Sequence, residues 1–318
     1  MEISILLRRF SDYSDYMRGY TKDTIRRYNQ TVNLFCKYAN VSQIEEINED
    51  VVRNFFFCGR AEKGWSASSF ITYHKSLCVF FRWCVQERYL NRNPTDDIEL
   101  PKLQKRLPPK LTKQDALKIL EVVYNYPYKH KFLRHRNYAV FSTFILAGLR
   151  KKELLHLHYT DVDLENMSIF VRQGKGSKDR VVPICSKLAE TLERYLVERK
   201  NLKRTCAEFF VSSCRNMGYT ENGLKHLTED IKKASGIKFT IHKLRHTFAT
   251  LMLEGGCDIY SLSRMMGHSD IKTTTIYLAA SADHLRAQIS KHPLNDFRED
   301  SQRSISQRQP AWPWSAGT

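Results

Sequence analysis

The stretch MSIFVRQGKGSKDRVVPI, residues 167–184, decides which elements the fold must combine. Two runs rich in β-branched and aromatic residues flank a turn-forming GKGSK segment, which predicts a β-hairpin. Gly174 and Gly176 leave the backbone bare on either side of Lys175, so this lysine is expected to project from the tip. Helical patterns prevail on both sides of the hairpin. We therefore predict a mainly α-helical fold with a small β-sheet in its C-terminal part.

Length, charge and hydropathy limit the class of protein. The chain has 318 residues, more than one domain usually holds, so two domains are expected. Its formal net charge is +17, and such an excess of Lys and Arg usually meets a polyanion, either a nucleic acid or an anionic membrane. No apolar run reaches the roughly 18 residues of a spanning helix, and the first residues lack a signal-peptide pattern. We expect an intracellular protein without a membrane partner.

The cysteines do not suggest a metal site. Eight cysteines are scattered along the chain, and no C-x-x-C pair occurs. Several stand in apolar surroundings, which favours buried, reduced thiols over a zinc site or a disulfide framework.

Residues 1–92 are predicted to form a helical domain. Apolar residues recur there at helical spacing, and the stretches begin at residues that commonly cap helices: Thr21 or Thr24, Asn48, and Ser66 or Ser68. Residues 93–111 hold four prolines among polar and basic residues, which is typical of a linker.

A second domain is predicted over residues 112–293. It begins with a helix capped by Thr112, continues with a buried helix and a glycine break, and contains the hairpin. From Lys187 to His292 helical patterns dominate again. Residues 294–318 have little core-forming pattern and are expected to be a flexible tail. The predicted fold is a helical N-terminal domain followed by a mixed α/β domain.

Four separate stretches of the second domain concentrate cations or unusual polar groups. They contain Arg150 after the glycine break, Lys175 at the hairpin tip, His242 and Arg245 in HKLRHTFATL, and His268 and Tyr277 in MMGHSDIKTTTIYL. Taken singly, each has a structural explanation: a surface arginine paired with Glu153, a solvated turn, a helix start with a satisfied histidine, and a core tyrosine. His242 and His246 have the spacing of a metal pair, but the stretch offers no further ligand.

Taken together, these residues form a set that suits a reaction at a phosphate. Two arginines can hold the non-bridging oxygens of one phosphodiester, and each such donor is worth roughly 3–4 kcal/mol of transition-state stabilisation. A free phenol has a pKa of about 10, so only about one in a thousand is ionised at pH 7. A histidine base beside Tyr277 would offset that deficit, and Lys175 would protonate the leaving alkoxide. The scheme needs no metal or cofactor.

With these four stretches in this order, the sequence resembles the tyrosine recombinases, also called the phage-integrase family. The resemblance covers most of the chain. AGLRKKEL resembles the first arginine motif, GKGSKDRVVPI the β-hairpin lysine motif, HKLRHTFAT the H-x-x-R motif, and MGHSDIKTTTIY the motif of the final histidine and the nucleophile. The segment HLRAQISKHPL after Tyr277 is similar to the end of Xer-type recombinases.

The resemblance implies a role for each motif residue. Arg150 and Arg245 would clamp the scissile phosphate, Lys175 would be the general acid, His242 the base or proton shuttle, and His268 a hydrogen-bond donor to the phosphate. Tyr277 would attack and give a 3′-phosphotyrosine with a free 5′-hydroxyl.

The resemblance also implies partners and a reaction path. The partner would be double-stranded DNA carrying a recombination site, held by a homotetramer on two sites with a Holliday-junction intermediate, and an accessory protein is compatible with this scheme. The protein would be cytoplasmic and associated with the nucleoid. The amphipathic segment after Tyr277 would either pack on its own domain or dock onto a neighbouring protomer.

Contacts to DNA outside the reaction centre are expected from basic residues of the N-terminal domain, the linker and the hairpin. The candidates are Lys75, Lys105, Arg106, Lys178 and Arg180. Most of them would position the duplex rather than read bases. Two alternatives to site-specific recombination stay open: strand relaxation like that of a type IB topoisomerase, and DNA binding without catalysis.

Overall fold

The computed structural model describes residues 1–103, 111–172, 179–268 and 274–275. The chain forms two compact units, Met1–Lys105 and Arg106–Thr318. Each is mostly helical, and the second contains a small sheet.

The first unit is built from four α-helices with two short helical turns. They are α1 Ile3–Asp12, a π-helical turn Tyr13–Met17, α2 Lys22–Ala39, a 3-10 turn Ile44–Glu46, α3 Glu49–Ala61 and α4 Ala67–Gln86. Thr21, Asn48 and Ser66 cap α2, α3 and α4 by accepting hydrogen bonds from backbone N–H groups three residues later. The predicted helix starts are confirmed, with Ser66 rather than Ser68 as the cap.

Aromatic side chains fill the core of this unit. Phe35 lies edge-on to Phe55 and Phe81, with ring centroids 5.2 and 5.8 Å apart. The chain after α4 also belongs to the unit: the His74 ring lies 3.1 Å from the Thr95 carbonyl oxygen, and Ile98 packs against the core. The polar segment that follows α4 is therefore held to the helices at least as far as residue 98.

Besides a 3-10 turn at Tyr159–Asp161, the second unit contains seven α-helices and three strands among its described residues. They are α5 Lys113–Asn125, α6 Lys131–Leu146, α7 Lys151–Leu155, β1 Val162–Asp163, β2 Ser168–Val171, β3 Arg180–Pro183, α8 Ser186–Asn201, α9 Glu221–Ser235, α10 Ile241–Glu254 and α11 Ile259–Met266. Helix α6 is buried along nearly its whole length and packs against α5, α8 and α10. It is the central element on which the others assemble.

The predicted hairpin is confirmed in its two strands. β2 and β3 pair antiparallel with Ile169 opposite Val182, and the short β1, which the sequence pattern did not predict, adds a third strand beside β2. Ile169 and Val182 are both fully buried, so the register is fixed by the face that joins the core. The hairpin tip, residues 173–178, lies outside the described residues.

Helices dominate the described residues from Lys187 onwards, as predicted, but residues 202–219 interrupt them. This segment is irregular, with an isolated antiparallel bridge between Val211 and Gly218. The Tyr195 hydroxyl of α8 donates to the Phe209 carbonyl at 2.8 Å and accepts from the Val211 N–H at 3.1 Å. Since this buried hydroxyl satisfies backbone groups that a helix would have paired internally, an extended segment is tolerated against the core.

The cysteines differ in exposure, and none of them forms a disulfide among the described residues. All eight cysteines are free thiols; Cys84 is buried, which raises its pKa to about 12, whereas Cys185 and Cys214 are exposed. The expectation of buried thiols therefore does not hold for every cysteine. Among the described residues, no helix has the length and apolar character needed to cross a membrane.

Candidate active site

A glycine turn places Arg150. Helix α6 ends at Leu146, and Gly148 then adopts φ +62°, which reverses the chain before α7. A Cβ at this position would collide with the Phe248 ring, so glycine is required both for backbone conformation and for space. Arg150 follows at the start of α7, where its backbone N–H donates to Glu153 Oε2 at 2.7 Å.

Arg245 is buried and joins three segments. Thr240 caps α10, so His242 lies in the first turn of the helix and Arg245 one turn later. The Arg245 side chain is 5% exposed; Nη1 donates to the Gly148 carbonyl, and Nη2 donates to the Met266 carbonyl at 2.6 Å. The guanidinium thus holds the glycine turn against the end of α11.

The two arginines converge on the turn that carries His268. Arg150 Nη2 donates to the Gly267 carbonyl at 2.7 Å, next to the Met266 carbonyl that Arg245 uses. Arg245 Nη2 also lies 3.4 Å from His268 Nε2, and His268 Nδ1 lies 2.8 Å from Thr274 Oγ1. The sequence-predicted Arg150, Arg245 and His268 are therefore neighbours in space, although 118 positions separate the first from the last.

Glu153 balances the charge beside this turn. Both of its carboxylate oxygens accept from Arg180, each at 2.8 Å, and Oε1 also accepts from Arg150 Nη1 at 2.6 Å. Burial would by itself raise the pKa of Glu153, but the bonds and charges of Arg180 and Arg150 lower it to about 2. The carboxylate is therefore ionised throughout the physiological range.

Arg180 has a different place from the DNA contact that was predicted for it. Its side chain is only 9% exposed; Nε donates to the Met265 carbonyl at 2.8 Å, and the other two nitrogens bind Glu153. A Cβ on Gly267, which has φ +64°, would lie 2.9 Å from Arg180 Cδ. Because all three guanidinium nitrogens bind inside the protein and the side chain is nearly buried, we infer that Arg180 fastens strand β3 to the turn before His268 rather than reaching a duplex.

The local field keeps the two histidines of the motifs neutral. Burial, followed by the charges of Arg245, Arg150 and Arg180, lowers the pKa of His268 to about 4. Burial also lowers the pKa of His242, with further contributions from Arg245, Lys151 and Arg150. At neutral pH each ring therefore has one nitrogen that accepts and one that donates a hydrogen bond.

His242 lines an open cavity of about 670 Å³ between α9 and the start of α10. Lys151, Glu221, Thr220 and Thr240 also line it, and Lys151 forms an ion pair with Glu221. The cavity adjoins the first turn of α10, so the ring of His242 is reachable from solvent while it stays close to the arginine cluster. No group of three or more His, Cys, Asp and Glu in the described ranges has the arrangement of a metal site.

The remaining sequence-predicted residues divide into two groups. Lys75 lies on α4 of the first unit and is exposed. Lys105, Arg106, Lys175, Lys178 and Tyr277 lie outside the described residues.

The sequence matches known families over both units. Residues 109–284 match the phage integrase family, and residues 6–90 match the N-terminal SAM-like domain of phage integrases. The chain belongs to the phage integrase family. The family match and the arginine–histidine cluster fall in the same unit, so the predicted resemblance to the tyrosine recombinases is confirmed together with the enzyme class.

Individual relatives agree over nearly the whole length. The chain is 33% identical over 305 residues to tyrosine recombinase XerC of Bacillus pumilus, covering 92% of this chain and 97% of that protein. It is 33% identical over 295 residues to tyrosine recombinase XerA of Thermococcus onnurineus, covering 92% and 96%.

A solved structure supports the predicted fold class. The XerH site-specific recombinase bound to a palindromic difH substrate aligns with a TM-score of 0.69 at 22% identity, covering 90% of this chain and 83% of that one. The predicted architecture, a helical N-terminal part and a mixed α/β C-terminal part, is confirmed.

Proposed function

We propose that this phage integrase family member is a site-specific recombinase that cuts and rejoins double-stranded DNA through a 3′-phosphotyrosyl intermediate. The observation that carries the proposal is the convergence of Arg150 and Arg245 on the turn before His268, with Arg245 only 5% exposed. Two guanidinium groups fixed by backbone carbonyls form a preorganised site for an anion whose charge grows in the transition state. Metal chemistry has no part in the scheme.

Arg150 and Arg245 would hold the scissile phosphate. Arg150 is 21% exposed, and its bonds to Glu153 and Gly267 use two of its five N–H donors. The remaining donors would bind non-bridging oxygens, while the protein carbonyls keep the guanidinium in place. His268, neutral because its pKa is about 4, would donate from Nε2 to the same phosphate, with Nδ1 accepting from the Thr274 hydroxyl.

Tyr277 would be the nucleophile, with His242 as the base or proton shuttle and Lys175 as the general acid. The Tyr277 oxygen would form a bond to phosphorus as the bond to the 5′-oxygen breaks, and Lys175 would give a proton to that oxygen. Because the phosphotyrosine conserves the energy of the phosphodiester, a 5′-hydroxyl from another strand would reseal it without a cofactor. His242, whose pKa is lowered, would accept the phenol proton at neutral pH.

The DNA partner would be contacted by both units. We assign DNA binding to residues 1–92, a linker role to residues 93–111, whose first part as far as Ile98 packs on the first unit, and catalysis to residues 112–293, with a flexible tail over 294–318. Lys75, Lys105, Arg106 and Lys178 would bind phosphates, which fits the net charge of +17. Four protomers would act on two sites through a Holliday junction in the nucleoid, with an accessory protein where directionality demands one.

A resolution assay tests this proposal. Binding sites are first selected from random duplexes, and two copies are then placed in one supercoiled plasmid. The proposal predicts two resolved circles or an inverted segment, depending on site orientation, and no product with Tyr277→Phe. Relaxation of supercoils without site preference, in place of recombinant products, would instead assign the protein to the topoisomerase alternative.

A further inference from the structure

A second buried arginine, Arg136, lies away from the arginine cluster. It belongs to α6 and is 5% exposed, and burial lowers its pKa. Its Nε and Nη2 donate to Asn137 Oδ1 at 3.0 and 2.8 Å, and Nη1 donates to the Val211 carbonyl at 3.3 Å. All of these partners are neutral, whereas a buried charge ordinarily requires an ion of opposite sign.

The bonding of Arg136 leaves a defined pair of donors. A guanidinium has five N–H groups, and the three bonds to Asn137 and Val211 account for three of them. One N–H on Nη1 and one on Nη2 remain within the described part of the chain. Tyr219 covers the flat face of the group, with its ring centroid 4.0 Å from Arg136 Cζ. Each terminal nitrogen thus keeps one N–H donor, which is the number that a bidentate carboxylate pair uses.

Arg136 lines a cavity of about 360 Å³. Tyr128, Tyr219, Ser212, Gly223 and Asp230 also line it. The Tyr128 hydroxyl is buried and makes no hydrogen bond of normal geometry with a described residue. Burial raises its pKa to about 12, and the nearby Asn137 amide offsets only part of that rise. The hydroxyl is thus a permanent O–H donor at neutral pH in the same cavity.

We propose that this cavity is a binding site for a small monocarboxylate. One carboxylate oxygen would accept from each of Arg136 Nη1 and Nη2, and the Tyr128 hydroxyl would donate to one of them. The depth of Arg136 excludes a duplex backbone, which is too wide to bring a phosphate to a side chain that is 5% exposed. Asp230 is exposed and also lines the cavity; its charge opposes every anion, but a polyanion more than a ligand of single charge. The site is separate from the proposed DNA chemistry.

A thermal-unfolding experiment on the full chain tests the proposal. Sodium acetate is the probe, with sodium chloride at equal ionic strength as the reference. If acetate binds with a dissociation constant near 10 mM, a concentration of 100 mM raises Tm by about 2–6 °C above the chloride reference. Since acetate also has general salt effects, the decisive quantity is the difference between the wild-type protein and variants of the cavity.

Two variants and one control make that difference interpretable. Asn137→Asp supplies an internal carboxylate to the same guanidinium, so it should raise Tm in chloride and remove the acetate response. Tyr128→Phe deletes the buried hydroxyl, so it should leave Tm in chloride no lower and reduce the acetate response. Tyr124→Phe, at a neighbouring exposed position, should respond like the wild-type protein.

The proposal is overturned by any of three results. The first is an acetate shift of equal size in the wild-type protein, Asn137→Asp and Tyr128→Phe. The second is no wild-type shift above chloride. The third is an equal cavity-dependent shift with inorganic phosphate, which would identify a general anion site.

Discussion

Replacing Glu153 with glutamine should reveal how strongly the arginine cluster depends on one carboxylate. The side chains of Glu153 and Arg180 are 6% and 9% exposed, so solvent screens their pairing little. The pKa of Glu153 falls from its usual 4.5 to about 2. Because one pKa unit corresponds to about 1.4 kcal/mol, the charged form stabilises the fold by about 3 kcal/mol relative to the protonated form.

Glu153→Gln should therefore lower the free energy of unfolding by about 3 kcal/mol at pH 7, within the range for breaking a buried ion pair. The folded pKa lies below the unfolded one, so the stabilisation is complete above pH 4.5 and is lost as pH falls towards 2. Near pH 3, the difference in the free energy of unfolding between the wild-type protein and the variant should accordingly be less than half of its value at pH 7. Urea unfolding, monitored by circular dichroism at pH 7 and at pH 3, measures this difference in the free energy of unfolding.

Glu229→Gln is the matched control. Glu229 forms an exposed ion pair with Lys232 three residues along α9, and its removal should leave the unfolding free energy unchanged at either pH. A deficit of Glu153→Gln below about 1 kcal/mol at pH 7, or one that does not diminish on acidification, would refute the role given to the Arg150–Glu153–Arg180 network.

Three further predictions concern the backbone, the proton chemistry and the DNA interface. Gly148→Ala should lower Tm by more than Gly236→Ala does. Both positions have positive φ, but only a Cβ at residue 148 would meet an aromatic ring; equal losses of Tm would contradict this. The acid limb of the rate of strand cleavage should have its midpoint below pH 6.5, because the pKa of His242 is below its usual 6.5; a midpoint above 6.5 would contradict this. The affinity for DNA should fall steeply between low and physiological salt, and a flat titration of binding against salt would exclude an extended phosphate interface.

Features set by local sequence were predictable. Each helix cap needs only a residue and the backbone N–H three positions later, which is why Thr21, Asn48, Ser66 and Thr112 identified helix starts correctly. The hairpin likewise depends on strand propensity and a glycine-containing turn within 18 residues.

Features that depend on distant pairing were not predictable from spacing. Glu153 is three residues from Arg150 and was recognised as its partner, but its bidentate bond to Arg180 joins positions 27 apart and exists only once β3 packs beside α11. Arg180 was therefore assigned to DNA. The sequence likewise gave no indication that Arg136 is buried, because its burial follows from the central position of α6.

Covalent trapping on nicked DNA tests most directly whether Tyr277 is the nucleophile. A duplex with the selected site and a nick beside the cleavage position lets the freed 5′-hydroxyl fragment diffuse away, so a 3′-phosphotyrosyl adduct accumulates. The account predicts an adduct with the wild-type protein whose linked peptide contains Tyr277, and none with Tyr277→Phe. An adduct that persists in Tyr277→Phe, or a wild-type protein that binds the selected site without forming one, would contradict it.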